Sequence, residues 1–257
     1  MIHKLELYGV NNNSILFKSC SINKINIRDF ANPGDLSLHN IDNINEIHIE
    51  DSSMGKAEFL DVDLSKPAVA KIISSNISDI ILIDTVFPDV LMGNSKTDFK
   101  SIRDAFRQLK LASGKQGNRI QELKYEASEM EAYKQDNSAI KTLDEKAILL
   151  FNKLTNNHGQ NWLMPLLEIL IFTIPAFMLI KLQMGYTFVF GYISAGDFGQ
   201  YLEFAFNPLH NFIILFGEDK TISSDKLGIA RLIDVAAKIV SGLLIFQLIR
   251  AFRKYVK

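Results

Sequence analysis

Short apolar runs alternate with polar residues through the first part of the chain. Apolar side chains take every second position in phrases such as INIRD (25–29) and IHIED (47–51), and Asn, Asp and Ser separate the phrases. Such alternation is typical of β-strands with one buried face, and the polar residues between them are typical of turns. Residues 1–96 are therefore predicted to form strands and turns.

The alternating runs also repeat. Two series of apolar residues keep a step of 22 residues: Leu16, Leu38, Leu60 and Leu82, and Ile25, Ile47 and Val69. Repeats of roughly 20–30 residues are typical of coiled β-architectures, in which equivalent apolar residues stack into ladders. We predict a short β-solenoid with coils of about 22 residues, whose ends need covering. The alternative is an antiparallel sandwich with evenly spaced strands.

After residue 96 the pattern takes a helical period. Apolar residues recur at intervals of three and four in 97–113 and again in 118–135, and a Gly- and Asn-rich turn separates the two stretches. Two helices joined by a short turn are expected to pack antiparallel. Residues 97–137 are thus predicted to form an α-helical hairpin, and residues 138–161 an amphipathic helix that leads towards a membrane.

The last third of the chain, 162–257, is predicted to be a membrane domain. It contains two long apolar stretches, 163–182 and 232–249, and a transmembrane helix needs about 20 such residues. The segment between them, 183–231, is rich in Phe and Tyr, which favour the membrane interface. We therefore predict two transmembrane helices joined by an aromatic loop.

Charged residues inside the two apolar stretches are candidate functional residues, because ionisable groups within a membrane are costly. These membrane-embedded polar residues are Glu168, Asp234 and Lys238. Asp234 precedes Lys238 by four positions, which is the favourable order for a helical ion pair. Tryptophan and basic residues at the ends of the stretches are predicted interface anchors: Trp162, Arg250, Arg253 and Lys254.

Three segments resemble a bacterial family of pentapeptide-repeat-like membrane proteins. FRQLKLASGKQGNRIQELKYEASEMEAYK (106–134) is similar to the family's conserved helical segment, and residues 149–166 and 245–257 are similar to its membrane-entry and closing segments. The resemblance implies β-solenoid repeats followed by two membrane helices, without known catalytic residues. The repeats here lack the family's five-residue Phe/Leu pattern. The matching residues are Arg107, Leu109, Lys110, Lys115, Gln116, Gly117, Asn118, Glu129 and Met130.

Several function classes are disfavoured by composition and motifs. The net charge is −1 and no segment is strongly basic, so nucleic acid is not an expected partner. Cys20 is the only cysteine, so no intrachain disulfide can form. No catalytic, nucleotide-binding or paired-cysteine motif is present, and we expect no enzymatic activity and no cofactor. His39 and His48 stand near acidic residues, but such groups on alternating strands are more often a solvated face than a metal site.

The function expected from these features is that of a membrane-anchored cytoplasmic scaffold or binding protein. Its expected partners are the lipid bilayer and a protein bound by the solenoid or the hairpin, and a homo-oligomer is a further option. The basic C-terminal tail predicts a multi-pass protein of the bacterial inner membrane with both termini in the cytoplasm. The alternative is an oligomeric two-helix pore, lined by the membrane-embedded polar residues.

Overall fold

The computed structural model describes residues 2–64, 67–93, 95, 98–136, 142–186, 195–217 and 223–253. The chain divides into two compact units, Met1–Leu150 and Phe151–Lys257. The boundary between the units lies inside the predicted lead-in segment 138–161. The predicted boundary at 96/97 falls outside the described residues.

The first unit begins with a parallel β-solenoid, as predicted. Its strands are β1 (Ile2–Val10), β2 (Ser14–Ala31), β3 (Asp35–Asp42), β4 (Glu46–Glu50), β5 (Glu58–Val62), β6 (Val69–Ile73) and β7 (Ile81–Ile83). All of their pairings are parallel, which excludes the antiparallel sandwich. One side of the solenoid stacks β1, β2, β4 and β6, and the other stacks β2, β3, β5 and β7. Strand β2 serves both sides because residues 14–21 pair with β3 and residues 22–31 pair with β1.

The stacked apolar ladders differ in part from the predicted series. Ile25 pairs with Ile47 as predicted, and the ladder continues at Ala70, one residue beyond the predicted position. Leu16 lies opposite Ser37, with its side chain 55% exposed. Since the step between paired residues varies from 20 to 23, a series with a fixed step slips by one position, and a slip of one moves a side chain to the other face. The inner ladder on that side is Phe17, Leu38, Phe59 and Leu82.

The polar residues between strands make the corners of the coils. Asn and Asp adopt a positive φ more readily than other residues with a Cβ atom, because their side chains form local hydrogen bonds. This preference accounts for the recurrence of Asn, Asp and Ser that the sequence shows. Seven residues with a positive φ recur at equivalent positions of successive coils, either at bends within β2, β3 and β5 or directly after β4, β6 and β7. They form two columns: Ser19, Asn40, Asp61 and Asp84, and Asp29, Asp51 and Ser74.

Two helices follow the solenoid as a hairpin, α1 (Phe99–Lys115) and α2 (Arg119–Gln135). The residues that carry the family resemblance have structural roles in it. The Asn118 side chain accepts a hydrogen bond from the N–H of Gln121 and caps α2. Lys110 on α1 is 2.5 Å from Glu129 on α2, which joins the two helices by a half-buried ion pair. Four side chains of α1 extend the core of the solenoid: Ala105, Phe106, Leu109 and Ala112.

Helix α1 also closes the last coil of the solenoid through side-chain amides. The Gln108 amide accepts from the N–H of Ile77 at 2.6 Å and donates to the C=O of Ser75 at 2.8 Å. Gln116 makes the same pair of hydrogen bonds to backbone groups of that coil, at 3.0 and 2.9 Å. The two amides take the place of a further strand, which would otherwise have to satisfy this edge.

Tyr125 completes the seal from α2. Its hydroxyl accepts a hydrogen bond from the N–H of Phe87 at 3.0 Å, and its ring is fully buried against Phe106. Burial raises the pKa of Tyr125 to about 12. The phenol therefore stays protonated at any physiological pH.

The second unit is helical. It contains the end of α3 (Leu143–Asn156), followed by α4 (Leu163–Gln183), α5 (Ala195–Phe206), α6 (Phe212–Phe216) and α7 (Ser224–Phe252). Helices α4 and α7 pack antiparallel, since Trp162 stacks on Phe252 at one end, with 5.5 Å between ring centroids, while Ile180 and Ala230 share a core at the other. Both are long and apolar enough to cross a membrane.

The predicted spans lie within these two helices, but the segment between them is more ordered than predicted. Helix α7 begins at Ser224, eight residues before the predicted start at 232. The predicted aromatic loop, 183–231, contains α5, α6 and the first two turns of α7. Phe204 and Phe216 of this segment pack against Phe177 of α4 and against each other, with 5.6–5.8 Å between ring centroids.

Replacement of the sealing amide in Gln108→Met keeps the approximate side-chain volume but leaves two backbone groups of the last coil without partners. We expect a loss of roughly 1–3 kcal/mol in the free energy of unfolding, measured by chemical denaturation of the full chain followed by circular dichroism of the strands. Gln135→Met, at an exposed position on α2, is the matched control. Equal stability of the two variants would contradict the sealing role.

Candidate functional site

The structure brings two of the predicted polar residues together on α7. Asp234 is 2% exposed, and its Oδ2 atom lies 2.6 Å from Nζ of Lys238, one helical turn later. The spacing in the sequence predicts this ion pair. The depth of Asp234 was not predicted, and an ionised carboxylate so deeply buried requires further partners.

His210 supplies the other contact to Asp234. It lies in the short connection between α5 and α6, where its Nε2 atom is 2.7 Å from Oδ1 of Asp234. Its Nδ1 atom is 2.7 Å from the backbone oxygen of Asn207, and its ring packs between Phe204 and Phe216. The side chain of Asn211 caps α6 by accepting from the N–H of Ile213 at 2.9 Å, which holds the connection in place. Sequence reasoning missed His210 because its partner is 24 residues away.

The two oxygen contacts of His210 cannot both be hydrogen bonds from a neutral ring. Both ring nitrogens of His210 face oxygen atoms, and the carbonyl of Asn207 can only accept, so a hydrogen bond to it needs a hydrogen on Nδ1. A neutral imidazole has one N–H group only. The contact at Nε2 is then a hydrogen bond only when a further proton lies on Nε2 or on the carboxyl group of Asp234. We therefore predict an additional proton at this contact.

A second polar cluster surrounds Lys181, near the end of α4. Lys181 is 4% exposed, and its ammonium donates to the side-chain oxygens of Gln200 at 2.6 Å and Asp197 at 3.3 Å. It also lies 4.3 Å from the ring centroid of Tyr186, a cation–π distance. These contacts attach α5 to α4. In the sequence, the position of Lys181 at the end of an otherwise apolar stretch was the signal that could have indicated these contacts.

Glu168, the third predicted polar residue, stands apart from both clusters. It lies on the first half of α4, half-buried, and its Oε2 atom is buried without a hydrogen-bond partner among the residues that the structure describes. The structure therefore does not combine Glu168 with Asp234 and Lys238 into a single site.

The predicted interface anchors lie at one end of the helix pair. Trp162 precedes α4 and stacks on Phe252, while Arg250 and Arg253 lie at the end of α7 beside that contact. Lys254 lies outside the described residues. An aromatic ring and two guanidinium groups at one level are the arrangement that a lipid headgroup boundary favours.

The outer face of the solenoid carries ion pairs rather than a metal-ligand set. The His48 nitrogens lie 3.6 and 3.8 Å from carboxylate oxygens of Glu46 and Glu50. Among the described residues, no group of three or more His, Cys, Asp or Glu side chains could hold a metal ion. Lys71 is 2.8 Å from Glu50. Burial lowers the pKa of the His48 ring, so that it is mostly neutral at pH 7. His39 is 3.6 Å from Glu58 in a similar half-buried pair.

Comparisons with models of known families, with curated proteins and with solved structures found no match for this chain. The β-solenoid and the two long apolar helices that the family resemblance implies are present. Membership of the pentapeptide-repeat-like family stays a prediction.

The additional proton at the His210–Asp234 contact is measurable directly. If the proton lies on His210, nitrogen-15 magnetic resonance of the full chain should show a ring with both nitrogens protonated. If it lies on Asp234, infrared spectroscopy should show a band of a protonated carboxyl group that disappears in Asp234→Asn. Asp225→Asn, near the exposed start of α7, is the control for the infrared band. A neutral His210 ring beside an ionised Asp234 would contradict the assignment.

Proposed function

We propose that the chain is a membrane-anchored binding protein without catalytic activity, which holds a protein partner at the cytoplasmic face of the bacterial inner membrane. The solenoid and the hairpin provide the binding part, and the helical unit provides the anchor. Each half of this proposal has its own support.

The anchor is supported by the exposed apolar surface of α4 and α7. In the most apolar 18-residue stretch of each helix, only 28% is buried for α4 and 22% for α7. The core helix of a soluble protein is mostly buried. With 21 and 29 residues, the helices are about 31 and 43 Å long. Lipid is the natural cover for the large apolar side chains that the two helices expose, which include Ile171 (65% exposed), Leu232 (72%), Ile239 (60%) and Phe246 (62%).

The observation that carries the binding role is the difference between the two ends of the solenoid. One end is sealed by α1 and α2, as described above. At the other end, β1 has nine residues and pairs with β2 on one side only, so its second edge has no strand partner in the described part of the chain. Free strand edges bind extended segments of other chains through backbone hydrogen bonds.

The proposed orientation follows from the basic residues at the C-terminal end of the sequence. Arg250, Arg253 and Lys254 favour the cytoplasmic side of an inner membrane. Because two spans return the chain to its starting side, the solenoid is then cytoplasmic as well.

An oligomeric pore is the second candidate, and one observation favours it. The partnerless carboxylate oxygen of Glu168 could face a polar path between copies. Asp234 and Lys238 give less support, because they bind each other and His210 within one copy. Two helices cannot enclose a path alone, so a pore requires several copies.

Membrane retention and ion flux distinguish the two candidates. We expect the full chain to stay in the membrane pellet after a carbonate wash, and liposomes that contain it to show no ion flux above empty liposomes. A pore would instead give flux that Glu168→Gln changes and Glu203→Gln, at an exposed position on α5, does not. Release by carbonate would contradict the anchor.

The binding role predicts a discrete cross-link at the free edge. A photoreactive amino acid in place of Tyr8, which is 80% exposed on β1, should give one adduct of defined mass in native membranes. The same replacement at Leu111, 49% exposed on α1, should give none and serves as the control. No adduct at Tyr8 would count against binding at this edge.

A further inference from the structure

We propose that the free end of the solenoid is a homodimer interface, in which the β1 strands of two copies pair antiparallel about a two-fold axis at Leu5. The proposal rests on the binding role above and names its partner as a second copy of this chain. Four features of the free end support it.

The first feature is an incompletely covered core. Ile2 and Leu7 of β1 are only partly buried, although their ladder partners in the next coil, Ile22 and Ile27, are fully buried. The same holds on the other side of the solenoid, where Phe17 is partly buried and its partner Leu38 is fully buried. Apolar side chains of one coil are covered by the next, and here the next coil is lacking among the described residues.

The second feature is that two strand edges are free at the same end. Strand β1 ends one stack, and residues 14–21 of β2 end the other. At the opposite end, the amides of Gln108 and Gln116 bind four backbone groups beside β6 and β7, and the N–H of Met92 donates to Ala70 of β6. No equivalent seal covers the free end within the described residues, so both of its edges are open to strand pairing there.

The third feature is charge symmetry about Leu5. Lys4 and Glu6 flank Leu5 on the outer face of β1, where they pair with each other at 2.5 Å. An antiparallel strand centred on Leu5 places Lys4 opposite Glu6 of the second copy, and Glu6 opposite its Lys4. Opposite charges directly across a strand pair are stabilising, whereas like charges are destabilising. Parallel pairing of two β1 strands in register would give like charges at both positions.

The fourth feature is closure. A two-fold interface uses the same surface on both copies, so the assembly ends at a dimer. Because the sealed end offers no free strand, a head-to-head pair leaves no solenoid edge for further addition. Such an arrangement removes the aggregation hazard of a nine-residue edge strand.

Charge reversal tests both the partner and the register. The full chain in detergent should be dimeric by sedimentation. Lys4→Glu and Glu6→Lys should each weaken the dimer by about tenfold or more, because two favourable pairs become like-charged. The double variant Lys4→Glu/Glu6→Lys should restore the dimer. Lys100→Glu, the same change at an exposed position on α1, is the control and should leave it intact.

A disulfide at the axis tests the geometry independently of charge. In a Cys20→Ser background, Leu5→Cys should form an intermolecular disulfide, since directly opposed residues of antiparallel strands have Cα atoms about 4.5–5.5 Å apart. Replacement of the exposed Leu111 by Cys should not form one.

The outcomes separate this inference from the function on which it rests. A monomeric chain, or a dimer that Lys4→Glu leaves unchanged, overturns the β1 interface. An adduct at Tyr8 whose mass differs from two copies keeps the binding role and assigns the edge to another protein. Absence of any adduct, together with a monomer, contradicts both.

Discussion

The structure depends on one constraint, which is that each coil of a parallel solenoid satisfies its backbone hydrogen bonds only through its neighbours. Interior coils meet this condition automatically, and the terminal coils do not. At the C-terminal end, the amides of Gln108 and Gln116 replace the backbone groups of a missing strand. This explains why a helical hairpin follows the last coil directly and shares its core. The same requirement makes the N-terminal edge the surface where a partner is most favourable.

An equivalent constraint acts in the helical unit, where polar groups lie among apolar side chains. Asp234 is bound from two directions by Lys238 and His210, and Lys181 is bound by Gln200 and the ring of Tyr186. These contacts hold α5 and the α5–α6 connection against the long helices, since breaking them would leave a buried charge without a partner. The two oxygen atoms of Asp234 are thereby divided between a ring nitrogen and an ammonium.

Local patterns in the sequence predicted the helices and strands well, whereas contacts between residues far apart in the sequence were predicted poorly. Alternation and a period of about 22 predicted the solenoid. A constant step, however, placed the side chain of Leu16 inside, whereas the actual steps of 20–23 residues place Phe17 there. The i, i+4 spacing gave the pair on α7, because it depends on one helix alone. His210 could not be found in this way. The aromatic content of 183–231 suggested an interface loop, although Phe198, Tyr201, Leu202 and Ala205 in fact follow a helical period in α5.

Each unit leaves one type of surface unsatisfied, and the two surfaces require different partners. The exposed faces of α4 and α7 offer apolar side chains with no free backbone groups, because helices satisfy their own hydrogen bonds. Such a surface fits lipid and gains little from a protein strand. The edge of β1 offers backbone N–H and C=O groups beside partly covered apolar residues, which lipid cannot satisfy and a strand can. The proposed membrane attachment and the proposed protein binding thus fall to separate units, according to the kind of group that each leaves exposed.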